Sequence, residues 1–188
     1  MKIEYNNLYI HFVLTTLHRQ KLIPEKHRVR VEKYITGIVN NNGSKLYAVY
    51  ANPEHIHILL SKSPALSENK LASIIADSSA SLINQNKLSK EKFEWQESAS
   101  AFSVSKSDVN KVCKYIINQK EHHKKITYEQ EIKLMLTHYQ KTIRNAHRYI
   151  RQYLIIWATT NVEYFSVRIN IPLSLTSPLP GLLALKKL

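Results

Sequence analysis

The sequence predicts an α+β fold: a ferredoxin-like, split βαβ antiparallel sheet with helices packed on it, followed by C-terminal helices and an irregular tail. Short runs rich in β-branched and aromatic residues alternate with longer segments of helical periodicity, in the order β-α-β-β-α-β. That order is typical of an antiparallel sheet covered by helices. Near the C-terminus, Pro172, Pro178 and Pro180 interrupt any regular element.

The first half of the chain carries three predicted strands and one helix. Leu8–Leu14 is predicted to be the first strand. A helix follows, with Pro24 just inside its start and Asn40–Gly43 as its end. Lys45–Tyr50 and His55–Ser61 are the second and third strands. The apolar positions at helical spacing are Val29, Val31, Tyr34, Ile35 and Ile38.

The second half begins with a helix that Ser67 opens, and a charged loop follows it. Phe93–Trp95 and Ala101–Val104 are predicted to be extended. Ser105 or Ser107 is the predicted N-cap of the next helix. That helix is expected to end near Gln119, and another to cover roughly residues 127–139.

The chain of 188 residues is expected to form one domain with an appendage. The predicted domain comprises residues 1–137. Residues 138–188 form a basic C-terminal extension of unknown role, with seven Lys or Arg and one Glu.

The net charge of the chain favours a polyanionic partner. Lys and Arg total 27 against 14 Asp and Glu, which gives a net charge of +13. Nucleic acid is the commonest such partner, ahead of an anionic membrane. Charge supplies affinity and salt dependence but does not identify the chemistry.

The cysteine content and the N-terminus predict a cytoplasmic protein. The single cysteine, Cys113, excludes an intramolecular disulfide and fits a reducing compartment. Met1–Tyr9 lacks the pattern of a signal peptide. No apolar run approaches the roughly 18 residues that a membrane span needs, so no membrane association is expected.

His55 and His57 flank Ile56 in the third predicted strand. Residues two apart share one face of a strand, roughly 6.6 Å from each other. Two imidazoles on one face can share a divalent metal ion, while Ile56 would point into the core on the other face. The alternative is a pair of ordinary sheet histidines.

Tyr115 and Gln119 are four residues apart in a predicted helix, so they are expected on one helical face. A phenol is a nucleophile that needs assistance at neutral pH. A glutamine carbonyl oxygen suits Mg²⁺ or Mn²⁺. The spacing would place a nucleophile beside a metal ligand, although the same spacing also occurs by chance in many helices.

Taken together, these segments resemble a known family. Pro53–Leu60 is similar to the HUH motif, in which a hydrophobic residue separates two histidines on a strand. Phe93–Gln96, Ala101–Ser105 and Tyr115–His123 resemble, in order and spacing, segments of the single-tyrosine HUH transposases of small insertion sequences, the IS200-like family. The likeness extends from about residue 9 to about residue 127.

The resemblance implies roles that the residues alone leave open. Tyr115 would attack single-stranded DNA and keep the 5′ phosphate, which leaves a free 3′ hydroxyl. His55, His57 and Gln119 would hold one Mg²⁺ or Mn²⁺. The implied partners are single-stranded or hairpin DNA and a second subunit in a homodimer, with no small-molecule substrate. In such a dimer, Tyr115 of one subunit could meet the histidines of the other.

Some features depart from the family, and other functions compete. Gln96–Ser100 lacks the glycine usual in that loop, and the segment after about residue 140 does not match. A replication or mobilisation nickase shares HUH chemistry, and an inactive relic would bind hairpin DNA only. A zinc site of His55, His57, His122 and His123 would leave Tyr115 and Gln119 unexplained.

Overall fold

The structure is a computed structural model that describes residue 3 and residues 6–137. The chain divides into two compact units, residues 1–131 and residues 132–188. The predicted tail, residues 138–188, lies outside the described residues. The elements are β1 (Tyr9–Thr15), α1 (Glu25–Asn41), β2 (Lys45–Ala51), β3 (His55–Ser61), α2 (Glu68–Gln85), β4 (Ser100–Val104), α3 (Val109–Ile117), α4 (Gln119–His122) and a fifth helix, α5, at residues 128–137.

The four strands form one sheet in the order β2-β3-β1-β4, and each neighbouring pair is antiparallel. This order and the two intervening helices are those of the split βαβ plan, so the predicted fold class is confirmed. Within the sheet β1 and β3 are the central strands, and nearly all their residues are buried.

Alternation along the central strands gives the sheet two different faces. On one face Ile56 and Ile58 join the main core, where Ile35 of α1 and Leu71 of α2 pack against them. The expectation that Ile56 points into the core is therefore confirmed. The other face of β3 carries His55, His57 and Leu59, and α3 packs on the Leu59 end of it.

The helix that carries Tyr115 differs from the prediction at both ends. It ends at Ile117, and Gln119 begins a separate helix after a break at Asn118, where φ is −89° and ψ is 13°. Its N-cap is Asp108, whose carboxylate accepts a hydrogen bond from Ser105 at 2.6 Å, so the serine N-cap was wrong. Tyr115 and Gln119 therefore lie on separate helices, although the sequence predicted that they share one face of a single helix.

The segment at Phe93–Trp95 also differs from the prediction. It is not a strand, although Trp95 forms one isolated bridge with Thr16. The Trp95 indole nitrogen donates to the buried Ser79 hydroxyl at 2.9 Å, and Phe93 is fully buried. This loop is therefore held by packing against α2. Within the described part of the chain, no helix is long and apolar enough to cross a membrane.

Replacing Ile35 by alanine is expected to destabilise the domain by about 3 kcal/mol, because this fully buried side chain supports the central strands. Chemical denaturation followed by circular dichroism measures the change. Val29→Ala, on an exposed part of the same helix, should change the free energy of unfolding by less than about 0.5 kcal/mol. Equal effects of the two substitutions would contradict the assigned core.

Candidate active site

The two histidines of β3 lie on the face of the sheet opposite the main core. Both are fully buried, and their ring centroids are 4.9 Å apart. His11 lies on the neighbouring strand β1, diagonally across from His57. Three imidazoles thus stand on one face of the two central strands, where most proteins would place apolar side chains.

Three imidazole nitrogens converge on one carboxylate oxygen. The Nε2 atoms of His55, His57 and His123 lie 3.5, 3.4 and 3.3 Å from Oε2 of Glu131. Glu131 is only 1% exposed although it carries a charge. One candidate ligand atom from each of these four residues lies within 4.8 Å of the other three. We call these four residues, His55, His57, His123 and Glu131, the histidine–glutamate cluster.

Each of the three imidazoles also has a contact on its other nitrogen. These contacts orient the rings so that the Nε2 atoms face inward, as outer groups do in protein metal sites. The outer partners of Nδ1 are the Glu54 carboxylate for His55 at 3.5 Å, the His11 ring for His57 at 2.9 Å and the Ile126 carbonyl oxygen for His123 at 3.2 Å.

The cluster has the chemistry of a site for a divalent metal ion. His57 Nε2 and Glu131 Oε2 are buried without a hydrogen-bond partner, which is rare unless a ligand is bound there. Burial lowers the pKa of His57 to about 4, so at neutral pH this ring offers a lone pair. Imidazole and carboxylate donors together fit a first-row transition metal such as Mn²⁺.

The Glu131 carboxylate is held in its ionised form. Burial alone would raise its pKa, but contacts from His123, His55 and His57 outweigh burial and hold the pKa well below its usual range. A negative charge therefore stays at the centre of the cluster at neutral pH. This negative charge also attracts a cation to the cluster.

The Tyr115 hydroxyl donates a hydrogen bond to Oε1 of Glu131. The Tyr115 ring centroid is 5.8 Å from that of His57 in the same chain. Burial, and then the hydrogen bond and charge of Glu131, raise the pKa of Tyr115 above its ordinary value. Tyr115, His55 and His57, which the sequence singled out separately, therefore lie in one pocket.

Gln119 belongs to the same pocket but faces it with its amide nitrogen. Its Nε2 donates to Glu131 Oε1 at 2.8 Å, and its Oε1 accepts from Asn52 Nδ2 at 3.0 Å. The side chain is fully buried. The carbonyl oxygen that was expected to bind metal is thus turned toward Asn52, and ligation by Gln119 stays a prediction.

Three residues of this site were missed by sequence reasoning: Glu131, His11 and Asn52. They lie outside the recognised motifs and in different elements, so no local pattern marks them. Tyr128, three residues before Glu131, lies on the same side of α5. The Tyr128 ring lies 4.6 Å from that of His55, and its hydroxyl is hydrogen-bonded to Thr15 at 2.7 Å.

A cleft of about 550 Å³ adjoins the cluster at His123. Its lining includes the cations Arg19, Lys21, Lys124 and Lys125. Of these, Arg19 pairs with Glu129 and Lys124 pairs with Glu121. Its lining also includes the carboxylates Glu54 and Glu129, so cations outnumber carboxylates four to two beside the candidate metal site. That combination suits a phosphate-bearing ligand.

The chain matches the sequence profile of one protein family, described as "Transposase IS200 like", over residues 4–119. Its structure is similar to a solved structure from Deinococcus radiodurans R1 described as a candidate transposase, with 20% identity and a TM-score of 0.50. That likeness covers 63% of this chain and 96% of the other, and it shows a shared fold.

A second solved structure is a REP-associated tyrosine transposase bound to a REP hairpin. It matches with 13% identity and a TM-score of 0.48, over 65% of this chain and 72% of that chain. A search of curated protein sequences gives no match.

Adding Mn²⁺ to the metal-free protein is expected to raise its melting temperature, because the ion would bind only the folded cluster. At about 100 times the Kd the gain is about 2.7 kcal/mol. His57→Ala and His123→Ala should each weaken binding strongly in calorimetric titration, whereas His27→Ala, on α1, should not. Unchanged affinity in both cluster variants would rule out metal binding at this place.

Proposed function

Because the chain belongs to the IS200-like transposase family, we propose that it cuts and rejoins single-stranded DNA at insertion-sequence ends through a 5′-phosphotyrosine on Tyr115. The family makes it a DNA-processing enzyme. The observation that carries the proposed mechanism is the placement of the Tyr115 hydroxyl on the carboxylate of the histidine–glutamate cluster. A half-buried nucleophile thus contacts a mostly buried group of metal-ligand donors.

The residues of the cluster fit the metal ion that the family implies. His55 and His57 would hold Mg²⁺ or Mn²⁺, and His123 and Glu131 have donor atoms directed at the same place. Gln119 would join them only if its amide turned its oxygen away from Asn52. When bound, the ion supplies a Lewis acid that stabilises negative charge on the phosphoryl oxygens.

The protein groups perform the rest of the proposed reaction. Tyr115 is oriented by Glu131, and the fully buried Gln119 holds the same carboxylate oxygen from a second direction. The phenolic oxygen attacks phosphorus and the 3′ oxygen departs. The phosphotyrosine keeps the energy of the broken bond, so a 3′ hydroxyl can later displace Tyr115 without ATP. This covalent route is ordinary nucleophilic catalysis.

The proposed substrate is single-stranded or hairpin DNA. The net charge of +13 supports a polyanionic partner, and the cationic cleft beside His123 lies where a strand entering the pocket could bind. Phosphate contacts of this kind make affinity fall as salt rises from about 50 to 200 mM.

We further propose a homodimer, because an insertion sequence has two ends and a two-fold assembly offers one site to each. The resemblance allows a site shared between subunits. In this structure, however, Tyr115 and His57 of the same chain lie together. This geometry supports a site assembled within one chain.

Tyr115→Phe is expected to abolish the covalent adduct while leaving DNA affinity nearly unchanged, because it removes only the attacking oxygen. The measurement incubates protein, Mn²⁺ and a labelled single-stranded element end, then separates adducts on a denaturing gel. Tyr34→Phe, on α1, is the matched control and should retain the adduct. EDTA should suppress the wild-type reaction. An adduct on the Tyr115→Phe protein would refute the assigned nucleophile.

Mixing Tyr115→Phe subunits with His57→Ala subunits is expected to restore no cleavage, because each site draws both residues from one chain. Different affinity tags on the two variants allow mixed dimers to be purified and assayed for adducts. Wild type mixed with either variant is the positive control. Recovered cleavage in mixed dimers would establish a shared site instead.

A further inference from the structure

We propose that Arg19 binds a backbone phosphate of the single-stranded DNA near the cleaved bond, and that Glu129 holds the Arg19 guanidinium group until the DNA replaces it. This inference rests on the proposed function and assigns the contact that the cleft beside His123 makes with the strand. Arg19, Tyr128 and Glu129 line this cleft together with His123 of the cluster. A strand that enters the cleft would therefore pass the guanidinium group beside the proposed site of cleavage.

A single aromatic ring lies between Arg19 and the histidine–glutamate cluster. The guanidinium carbon of Arg19 is 5.6 Å from the centroid of the Tyr128 ring, and that centroid is 4.6 Å from the centroid of the His55 ring. The Tyr128 hydroxyl is hydrogen-bonded to Thr15 at 2.7 Å, which holds the ring in place. An aromatic face attracts a guanidinium group without using its N–H donors. Tyr128 therefore places the charge of Arg19 beside the cluster and leaves its N–H groups to bind a ligand.

The backbone holds Arg19 in a conformation that few residues adopt. The φ angles of His18 and Arg19 are 53° and 56°, in the left-handed region that favours glycine. The fully buried Thr16 fixes this turn: its carbonyl oxygen accepts from the Arg19 amide nitrogen at 2.9 Å, and its hydroxyl donates to the Gln20 carbonyl oxygen at 2.6 Å. Strained residues of this kind cluster at ligand-binding sites, where the surrounding structure holds them. Here the strained turn fixes the base of the Arg19 side chain at the cleft.

The ion pair between Arg19 and Glu129 is one that a phosphate can replace. Arg19 Nη1 donates to Glu129 Oε1 at 2.7 Å, and among the described residues this is the one hydrogen bond of the guanidinium group. The two side chains are 51% and 57% exposed, and exposed ion pairs contribute little to stability. A guanidinium group can donate two parallel hydrogen bonds to a phosphate. A DNA phosphate is therefore expected to be the stronger partner of Arg19.

The first measurement compares Arg19→Ala with Arg30→Ala by fluorescence anisotropy on the labelled single-stranded element end. Arg30 is exposed on α1 and does not line the cleft, so each variant loses one positive charge but only one loses the proposed contact. Arg19→Ala should weaken binding about 10-fold at low salt and lower the slope of log affinity against log salt by about 0.7. Arg30→Ala should change both much less. The difference should persist in EDTA, because Arg19 is not a ligand of the cluster.

Single methylphosphonates locate the phosphate that Arg19 binds, because each replaces one charged phosphate of the DNA by a neutral group. At one position near the cleaved bond, the replacement should weaken binding to the wild-type protein about as much as Arg19→Ala does. At that position it should have no further effect on the Arg19→Ala protein, since the two changes remove the same contact. The Arg30→Ala protein should show the wild-type pattern at every position.

Glu129→Gln tests the displacement of the carboxylate by DNA. The substitution should strengthen DNA binding about 3-fold, because the phosphate no longer competes with Glu129. The gain should disappear in the Arg19→Ala background. Glu25→Gln removes an exposed carboxylate that pairs with Arg28 on α1, so it measures the effect of one lost negative charge away from the cleft, and its gain should be smaller.

Melting curves are measured on every variant, and Arg19→Gln replaces Arg19→Ala if the alanine variant melts lower. Equal weakening by the Arg19 and Arg30 substitutions, or a methylphosphonate pattern that loss of Arg19 leaves unchanged, would overturn the phosphate contact. A Glu129→Gln gain that persists without Arg19 would overturn the displacement. A wild-type adduct at Tyr115 without any dependence of DNA affinity on Arg19 would overturn this inference alone. Arg19-dependent binding without an adduct would instead overturn the proposed function and leave the phosphate contact in place.

Discussion

The buried negative charge of Glu131 is the constraint on which the rest of the site depends. A carboxylate that is 1% exposed is very costly unless partners offset its lost hydration. Here the offset comes from three imidazoles on one side and from a phenol and an amide on the other. The position of Tyr115 is therefore tied to that of the histidines through a single side chain, although the residues come from separate elements.

The fold explains how such distant residues reach one place. A strand presents alternate residues on one face, so His55 and His57 lie together while Ile56 and Ile58 anchor the opposite face. The antiparallel pairing of β1 with β3 adds His11 behind His57. The helices α3, α4 and α5 then close over this face with Tyr115, Gln119 and Glu131. The apolar face of the sheet packs into the core and holds the strands in place, and the polar face carries side chains of the candidate active site.

Local sequence patterns predicted the fold and part of the site, because those features depend on residues that are close together in the chain. The β-α-β-β-α-β order, the bounds of β3 and the N-cap at Ser67 follow from periodicity and turn residues. The break at Asn118 could not be predicted from periodicity, since apolar and polar residues continue at helical spacing through it. Glu131 was missed because its importance arises from long-range contacts: the hydroxyl it holds is sixteen residues away, and His57 is farther still.

The contacts of Glu131 accompany two features that are unusual in a protein interior: buried polar atoms without hydrogen-bond partners and a tyrosine with a raised pKa. Buried polar atoms normally find partners, yet His57 Nε2, Glu131 Oε2 and His122 Nε2 have none among the described residues. Burial, and then the hydrogen bond and charge of Glu131, raise the pKa of Tyr115, which keeps the phenol protonated. An arrangement selected for stability alone would avoid both features. They are consistent with a site that becomes complete only when a cation offsets the carboxylate and a phosphate reaches Tyr115, so that the nucleophile stays protonated until the substrate is bound.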